Sequence, residues 1–160
     1  MDEIFQRLID SDFSELPGIK MDATIPVPES LVNEVIAASL RGNKNIEYCR
    51  VSIGGQNRVT AKVKTPPWPW PLNLKLKLFK ELDLSGSPKV RAFLENNVFL
   101  GRLGAQLKVL PAGIVLYKDQ VSVDIGSFLE PEQKRYLKFL ESVEISTEAG
   151  AIIFDVKIHN

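Results

Sequence analysis

Residues 72–84 read Leu-Asn-Leu-Lys-Leu-Lys-Leu-Phe-Lys-Glu-Leu-Asp-Leu. Leu72, Leu74, Leu76, Leu78, Leu82 and Leu84 occupy even positions, interrupted only by Lys80, while Asn73, Lys75, Lys77, Phe79, Glu81 and Asp83 occupy the odd ones. Successive strand side chains point to opposite faces, so this period of two predicts one long β-strand with an apolar and a polar face. Full burial of one leucine is worth roughly 1.5–3 kcal/mol. Such a row must face a core or a ligand.

The same alternation recurs on both sides. Upstream, Cys49, Val51 and Ile53, a Gly54-Gly55-Gln56-Asn57 turn, and Val59, Ala61 and Val63 predict a hairpin. Pro66-Pro67-Trp68-Pro69-Trp70-Pro71 separates it from the leucine strand and is unsuited to a central strand, because proline lacks the ladder N–H. Downstream, Ser85-Gly86-Ser87-Pro88 turns the chain into a strand with Val90, Ala92 and Leu94. Ile114 and Leu116, then Val121, Val123 and Ile125, flank a Lys118-Asp119-Gln120 turn. Val143, Ile145 and Thr147, a Glu148-Ala149-Gly150 turn, and Ile152, Phe154, Val156 and Ile158 close the chain.

Helical spacing appears between these strands. Residues 2–14 carry Ile4, Phe5, Leu8 and Ile9 behind an acidic start, and Leu16-Pro17-Gly18 ends the segment. A short strand through Met21, Ala23, Ile25 and Val27 leads to Pro28-Glu29-Ser30, which opens a second helix stopped by Gly42. Leu31, Val32, Val35, Ile36, Ala37, Ala38 and Leu40 give it an apolar stripe so broad that it predicts a helix largely surrounded by protein, with Asn33 and Glu34 opposite. Ser39 lies on the apolar side, where its hydroxyl can bond a carbonyl one turn back. From Asn97 to Leu110, Phe99, Leu103, Leu107 and Leu110 follow helical spacing, weakened by Gly101 and Gly104. Pro131–Glu141 reads as a short helix. The order implies one α+β domain over 1–160: an N-terminal helical segment, 1–18, and a helix-plus-sheet body, 19–160, whose antiparallel meander is covered by helices.

Composition narrows the function classes. The 160 residues are 44% hydrophobic and 25% charged, as in a globular domain, and 20 basic residues balance 20 acidic ones. Net charge therefore supplies no global attraction to nucleic acid or anionic lipid. No apolar run approaches the roughly 20 residues of a membrane-spanning helix. MDEIFQRLID lacks the basic-then-apolar order of a secretory signal, so the sequence as it stands reads as cytoplasmic, or as cell-envelope if an export signal has been removed. A single cysteine, Cys49, excludes intrachain disulfides and reads as a small buried apolar group.

Catalytic players are not visible. The only histidine, His159, is penultimate, so nucleophile–histidine arrangements and histidine metal sites would rest on one terminal residue. Asp119, Asp124 and Asp155 lack metal-loop spacing, and Gly54-Gly55 lacks a phosphate-loop lysine. A non-enzymatic role without cofactor follows as the expectation. Charge distribution says more. Between Glu47 and Glu81 no acidic residue occurs, whereas Arg50, Arg58, Lys62, Lys64, Lys75, Lys77 and Lys80 do. If the two strands around the proline-rich segment pair, their lysines form a basic patch near Trp68 and Trp70, suited to an anionic membrane surface or to single-stranded nucleic acid. The plain alternative is a solvated strand face whose lysines guard an edge.

The segments IPVPESLVNEVIAASL, RVSIGGQNRVTAKVK, LNLKLKLFKELDLSG and LPAGIVLYKDQVSVDIGSFL together resemble the small bacterial members of the tubular lipid-binding superfamily, from Ile25 to Ile158. The resemblance implies a helix wrapped by a strongly curved antiparallel sheet, with lipid in the apolar interior between them. It departs from that family in lacking an export signal and in being short for a full lipid tube, which a homodimer would complete. Small residues Ala23, Ala38, Ala61 and Ala92 would leave room for a ligand or permit close packing.

These observations give the expected function: a lipid or other apolar small molecule held between the second helix and the concave sheet by Leu31, Val35, Leu74, Leu76, Leu103 and Leu107. Trp68, Trp70, Lys75 and Lys77 would mark the mouth or a peripheral membrane contact. A closed-core protein-interaction module is the first rival. Single-stranded nucleic-acid binding through the basic tryptophan-bearing segment is the second, and the balanced net charge disfavours it.

Overall fold

The computed structural model describes residues 20–66, 69–95 and 113–159. In chain order its elements are β1 (Lys20–Pro28), α1 (Glu29–Ser39), β2 (Tyr48–Ile53), β3 (Arg58–Lys64), β4 (Leu72–Leu78), β5 (Lys89–Leu94), β6 (Ile114–Tyr117) and β7 (Gln120–Asp124). A 3₁₀ turn (Ile125–Phe128), α2 (Pro131–Lys134), a second 3₁₀ turn (Arg135–Phe139), β8 (Leu140–Glu148) and β9 (Ala151–His159) follow. The fold is α+β, and all strand pairing is antiparallel. The candidate N-terminal helix 2–14 and the helical spacing at 97–110 lie outside the described residues.

The strands form two sheets, not one wrapped meander: a three-stranded sheet in the order β1-β9-β8 and a six-stranded one in the order β2-β3-β4-β5-β7-β6. Neither is strongly curled, so the strong curvature expected from the sequence is not found. The cause is visible in the leucine run. It does not continue as one strand to Leu84, because β4 ends at Leu78. Phe79 N–H still bonds Arg91 O, but Lys80 O accepts Ile145 N–H and Leu82 N–H donates to Val143 O. Glu81 bridges Glu144. The run therefore crosses from the large sheet to the edge of the small one at Lys80, the residue that interrupts the leucine alternation. Dividing the strands between two sheets removes the need for one to close on itself.

Asn57 fastens the second junction. It is 8% exposed and left-handed, with φ 60. Its N–H bonds Thr147 Oγ1 at 2.8 Å, its Nδ2 bonds Ile145 O at 3.0 Å, and its carbonyl accepts Leu78 N–H at 2.8 Å. Asparagine tolerates this backbone and carries the donor needed there.

The six-stranded sheet is two-faced. Cys49, Val51, Ile53, Val59, Ala61, Val63 and the leucines of β4 share the apolar face, with Ile46, Val51, Ile53, Val59, Ala61 and Val63 forming its buried cluster. Val32 and Ile36 of α1, with Leu40 at its C-terminal cap, pack against that cluster. The helix is less enclosed than its broad stripe implies: none of its residues is buried, and Leu31 and Val35 are 46% and 48% exposed. Ser39 Oγ does bond Val35 O, at 2.8 Å.

α1 also guards the open edge of β2, a task the helical pattern did not reveal. Val51 N–H donates to Asn33 Oδ1 (2.7 Å), Asn33 Nδ2 donates to Val51 O (2.8 Å), and Ile53 N–H donates to Glu29 Oε2 (2.8 Å). Asn33 is thus half-buried against the sheet, not opposite it. An unpaired edge invites strand addition from another chain. Asn33→Ala, which strips two hydrogen bonds from the edge, is expected to lower stability by about 1–3 kcal/mol in urea titration. A midpoint equal to that of the parent would contradict this account of the edge.

The short helix expected over Pro131–Glu141 is compressed to one turn and a 3₁₀ turn, because β8 claims the chain from Leu140 by pairing it with Ile158. Its start is capped reciprocally: Glu130 accepts the N–H of Gln133, and Glu130 N–H donates to Gln133 Oε1 at 2.9 Å.

Candidate functional site: the outer face of the six-stranded sheet

β3 and β4 pair directly, with Arg58 opposite Lys77, Thr60 opposite Lys75 and Lys62 opposite Asn73. β2 adds Arg50 opposite Lys62 and Tyr48 opposite Lys64. Directly opposed residues share a face. The conditional patch of the sequence is therefore one surface: Arg50, Arg58, Lys62, Lys64, Lys75 and Lys77 stand on three adjacent strands, on the side opposite the buried cluster. All but the half-buried Lys64 are exposed.

Two ion pairs temper the patch at its rim. Lys64 Nζ lies 2.8 Å from Glu47 Oε2, and Arg58 Nε lies 3.7 Å from Glu95 Oε1. The Glu47 hydrogen bond and charge raise the Lys64 pKa, holding its ammonium charged. Exposed pairs of this kind are worth about 0–1 kcal/mol, so they orient side chains more than they neutralise the surface.

Aromatic side chains continue the same face. Lys77 opposes Phe93, Phe93 opposes Gln120, and Gln120 opposes Tyr117, extending the row from Arg58 across β3, β4, β5, β7 and β6. Phe93 and Tyr117 are 43% and 68% exposed. Phe93 meets Phe79 edge-on at 4.5 Å between ring centroids, and the Arg91 guanidinium lies 5.0 Å from the Phe79 ring. Trp70 leads into β4 with 75% exposure. Phe93 and Tyr117 stood outside the candidate set because neither lies in the basic run. Only the pairing of β4, β5, β7 and β6 brings them beside Lys77.

The other candidate residues are distributed differently. Leu74 and Leu76 are half-buried on the apolar face against the buried cluster, whereas Leu31 and Val35 are on the solvent side of α1. These four do not converge on one space. Leu103, Leu107 and Trp68 lie outside the described residues. Of the small residues, Ala61 and Ala92 are buried and Ala38 is exposed. Cys49 is half-buried, and desolvation raises its thiol pKa, as the apolar reading of this residue requires.

Among the described residues, no group of three or more His, Cys, Asp or Glu side chains could hold a metal ion, and no helix is long and apolar enough to cross a membrane. No family model, curated protein or solved structure matches the chain.

Proposed function

We propose that the domain is a non-enzymatic binder of anionic lipid surfaces, docking through the outer face of its six-stranded sheet. The observation that carries this reading is the continuous row of basic and exposed aromatic side chains from Arg58 through Lys77 and Phe93 to Tyr117. Each basic residue held near an anionic bilayer contributes about 1 kcal/mol, and the attraction fades beyond a Debye length of about 10 Å at 0.1 M salt. A sheet face that is not strongly curled lets several cations reach that distance together. Tryptophan and tyrosine rings favour the headgroup level, where an apolar body and a polar edge are both accommodated. The resemblance to tubular lipid-binding domains points to the same class of ligand, although the sheets lack the curl that family implies.

Exposed Phe93 and Tyr117 on a basic sheet also favour a second reading, a stacking platform for single-stranded nucleic acid. One pair of titrations separates the two. Both tryptophans lie in the segment that enters β4, so intrinsic emission reports directly on docking. Addition of phosphatidylglycerol-containing vesicles is expected to shift it to the blue, while an oligothymidylate leaves it unchanged. An oligothymidylate response with none from vesicles would replace the lipid reading by the nucleic-acid one.

A further inference from the structure

The two sheets end in β1 and β8, and in β2 and β6. All but one of these edges are guarded against strand addition. β2 is closed by α1, where Asn33 and Glu29 accept the N–H groups of Val51 and Ile53. β8 is bonded by the leucine run, through Lys80 to Ile145 and Leu82 to Val143. β1 carries Pro26 and Pro28, which donate no N–H, and the charged Lys20 and Asp22. β6 has none of these devices. It reads Ile-Val-Leu-Tyr, without charge or proline, and among the described residues no strand pairs with its outer side.

The hydrogen-bond pattern fixes what that edge presents. Asp124 N–H donates to Gly113 O at 2.7 Å. Bonded pairs alternate along an antiparallel ladder, so Val115 with Ser122 and Tyr117 with Gln120 are the next bonded pairs between β6 and β7. Leu94 N–H, which bonds Asp119 O from the other side of β7, agrees with this alternation. The N–H and C=O groups of Ile114 and Leu116 therefore point outward, away from β7. Val115 and Tyr117 stand on the outer face, 61% and 68% exposed, while Ile114 and Leu116 are half-buried on the apolar one.

A second copy of β6 answers this pattern. Turned antiparallel about a two-fold axis at Val115, it sets Ile114 opposite Leu116 of the second copy, and Leu116 opposite Ile114 of that copy. Each such pair exchanges both N–H···O bonds, so every outward group of Ile114 and Leu116 gains a partner. Directly opposed residues share a face. Isoleucine thus meets leucine on the apolar side, and the exposed Val115 meets its own counterpart on the outer side. A slip by one residue would oppose Val115 to Leu116 and mix the faces. Centring the axis on Leu116 would set Ile114 against Lys118, a turn residue with φ 55. We propose that the chain forms a two-fold homodimer through β6, joining two six-stranded sheets edge to edge. The contact is short, so association is weak and concentration-dependent. It brings the basic faces of both copies to the same side of one continuous sheet.

Val115→Lys and Val115→Glu test the axis, because position 115 faces itself across it. Like charges directly opposed on neighbouring strands repel, and an exposed substitution of this kind leaves the fold intact. The measurement is sedimentation of the full chain without lipid, so its outcome is independent of the docking reading. The parent is expected to show dimer rising with concentration, and either variant alone to lose it. An equimolar mixture of the two variants should recover the dimer, since lysine then faces glutamate. A parent that stays monomeric at millimolar concentration, a single variant that still dimerises, or a mixture that stays monomeric would overturn the proposal.

Discussion

Asn57→Ala is expected to destabilise the protein by about 2–5 kcal/mol, in two separable parts. Loss of the Nδ2 donor strands Ile145 O in a buried setting, at about 1–3 kcal/mol. Alanine in the left-handed conformation costs a further 1–2 kcal/mol or so. Asn57→Gly removes the second part and keeps the first, so glycine should be the milder variant. The Asn57 N–H and C=O bonds to Thr147 and Leu78 persist in both. Urea midpoints for the parent and the two variants measure the parts. Parent, alanine and glycine proteins agreeing within about 0.5 kcal/mol would mean that Asn57 does not fasten the two sheets.

Neutralising Lys62, Lys75 and Lys77 together, as Lys62→Gln, Lys75→Gln and Lys77→Gln, is expected to weaken partition onto anionic vesicles about 100-fold. The estimate follows from about 1 kcal/mol for each basic residue near the surface, and 1.4 kcal/mol per tenfold in affinity. These side chains are exposed on the outer face, away from the buried cluster. Exposed substitutions of this kind usually move stability by about 0.5 kcal/mol or less each. The triple variant should thus keep the parent's circular dichroism and nearly its urea midpoint. Retained vesicle affinity would exclude the β3–β4 surface as the docking face, whereas a general loss of stability would show that these lysines support the fold.

Much of the fold is legible in the period of two. Val59, Ala61 and Val63, and Leu72 through Leu78, alternate as the structure requires, and the basic patch follows once β3 and β4 are paired. Strand partnership over long distances is not legible in the same way. Pairing of β1 with β9 joins Ile25 to Phe154, and no local pattern links those positions. The sheet change at Lys80 left a trace, the missing leucine, but a single lysine also suits a solvated strand. Asn33 was hidden for another reason. Helical spacing places it away from the leucine and valine stripe, and only the free edge of β2 makes a polar side chain useful there. The aromatic half of the outer face, Phe93 and Tyr117, depends on strand order, which alternation alone does not determine.

The docking proposal is tested most directly by co-sedimentation of the full chain with vesicles of pure phosphatidylcholine and of phosphatidylcholine containing one-quarter phosphatidylglycerol, each at low and physiological salt. Binding confined to the phosphatidylglycerol vesicles and falling steeply with salt is the predicted result. Failure to bind either vesicle at low salt, or equal binding to both irrespective of salt, would contradict it.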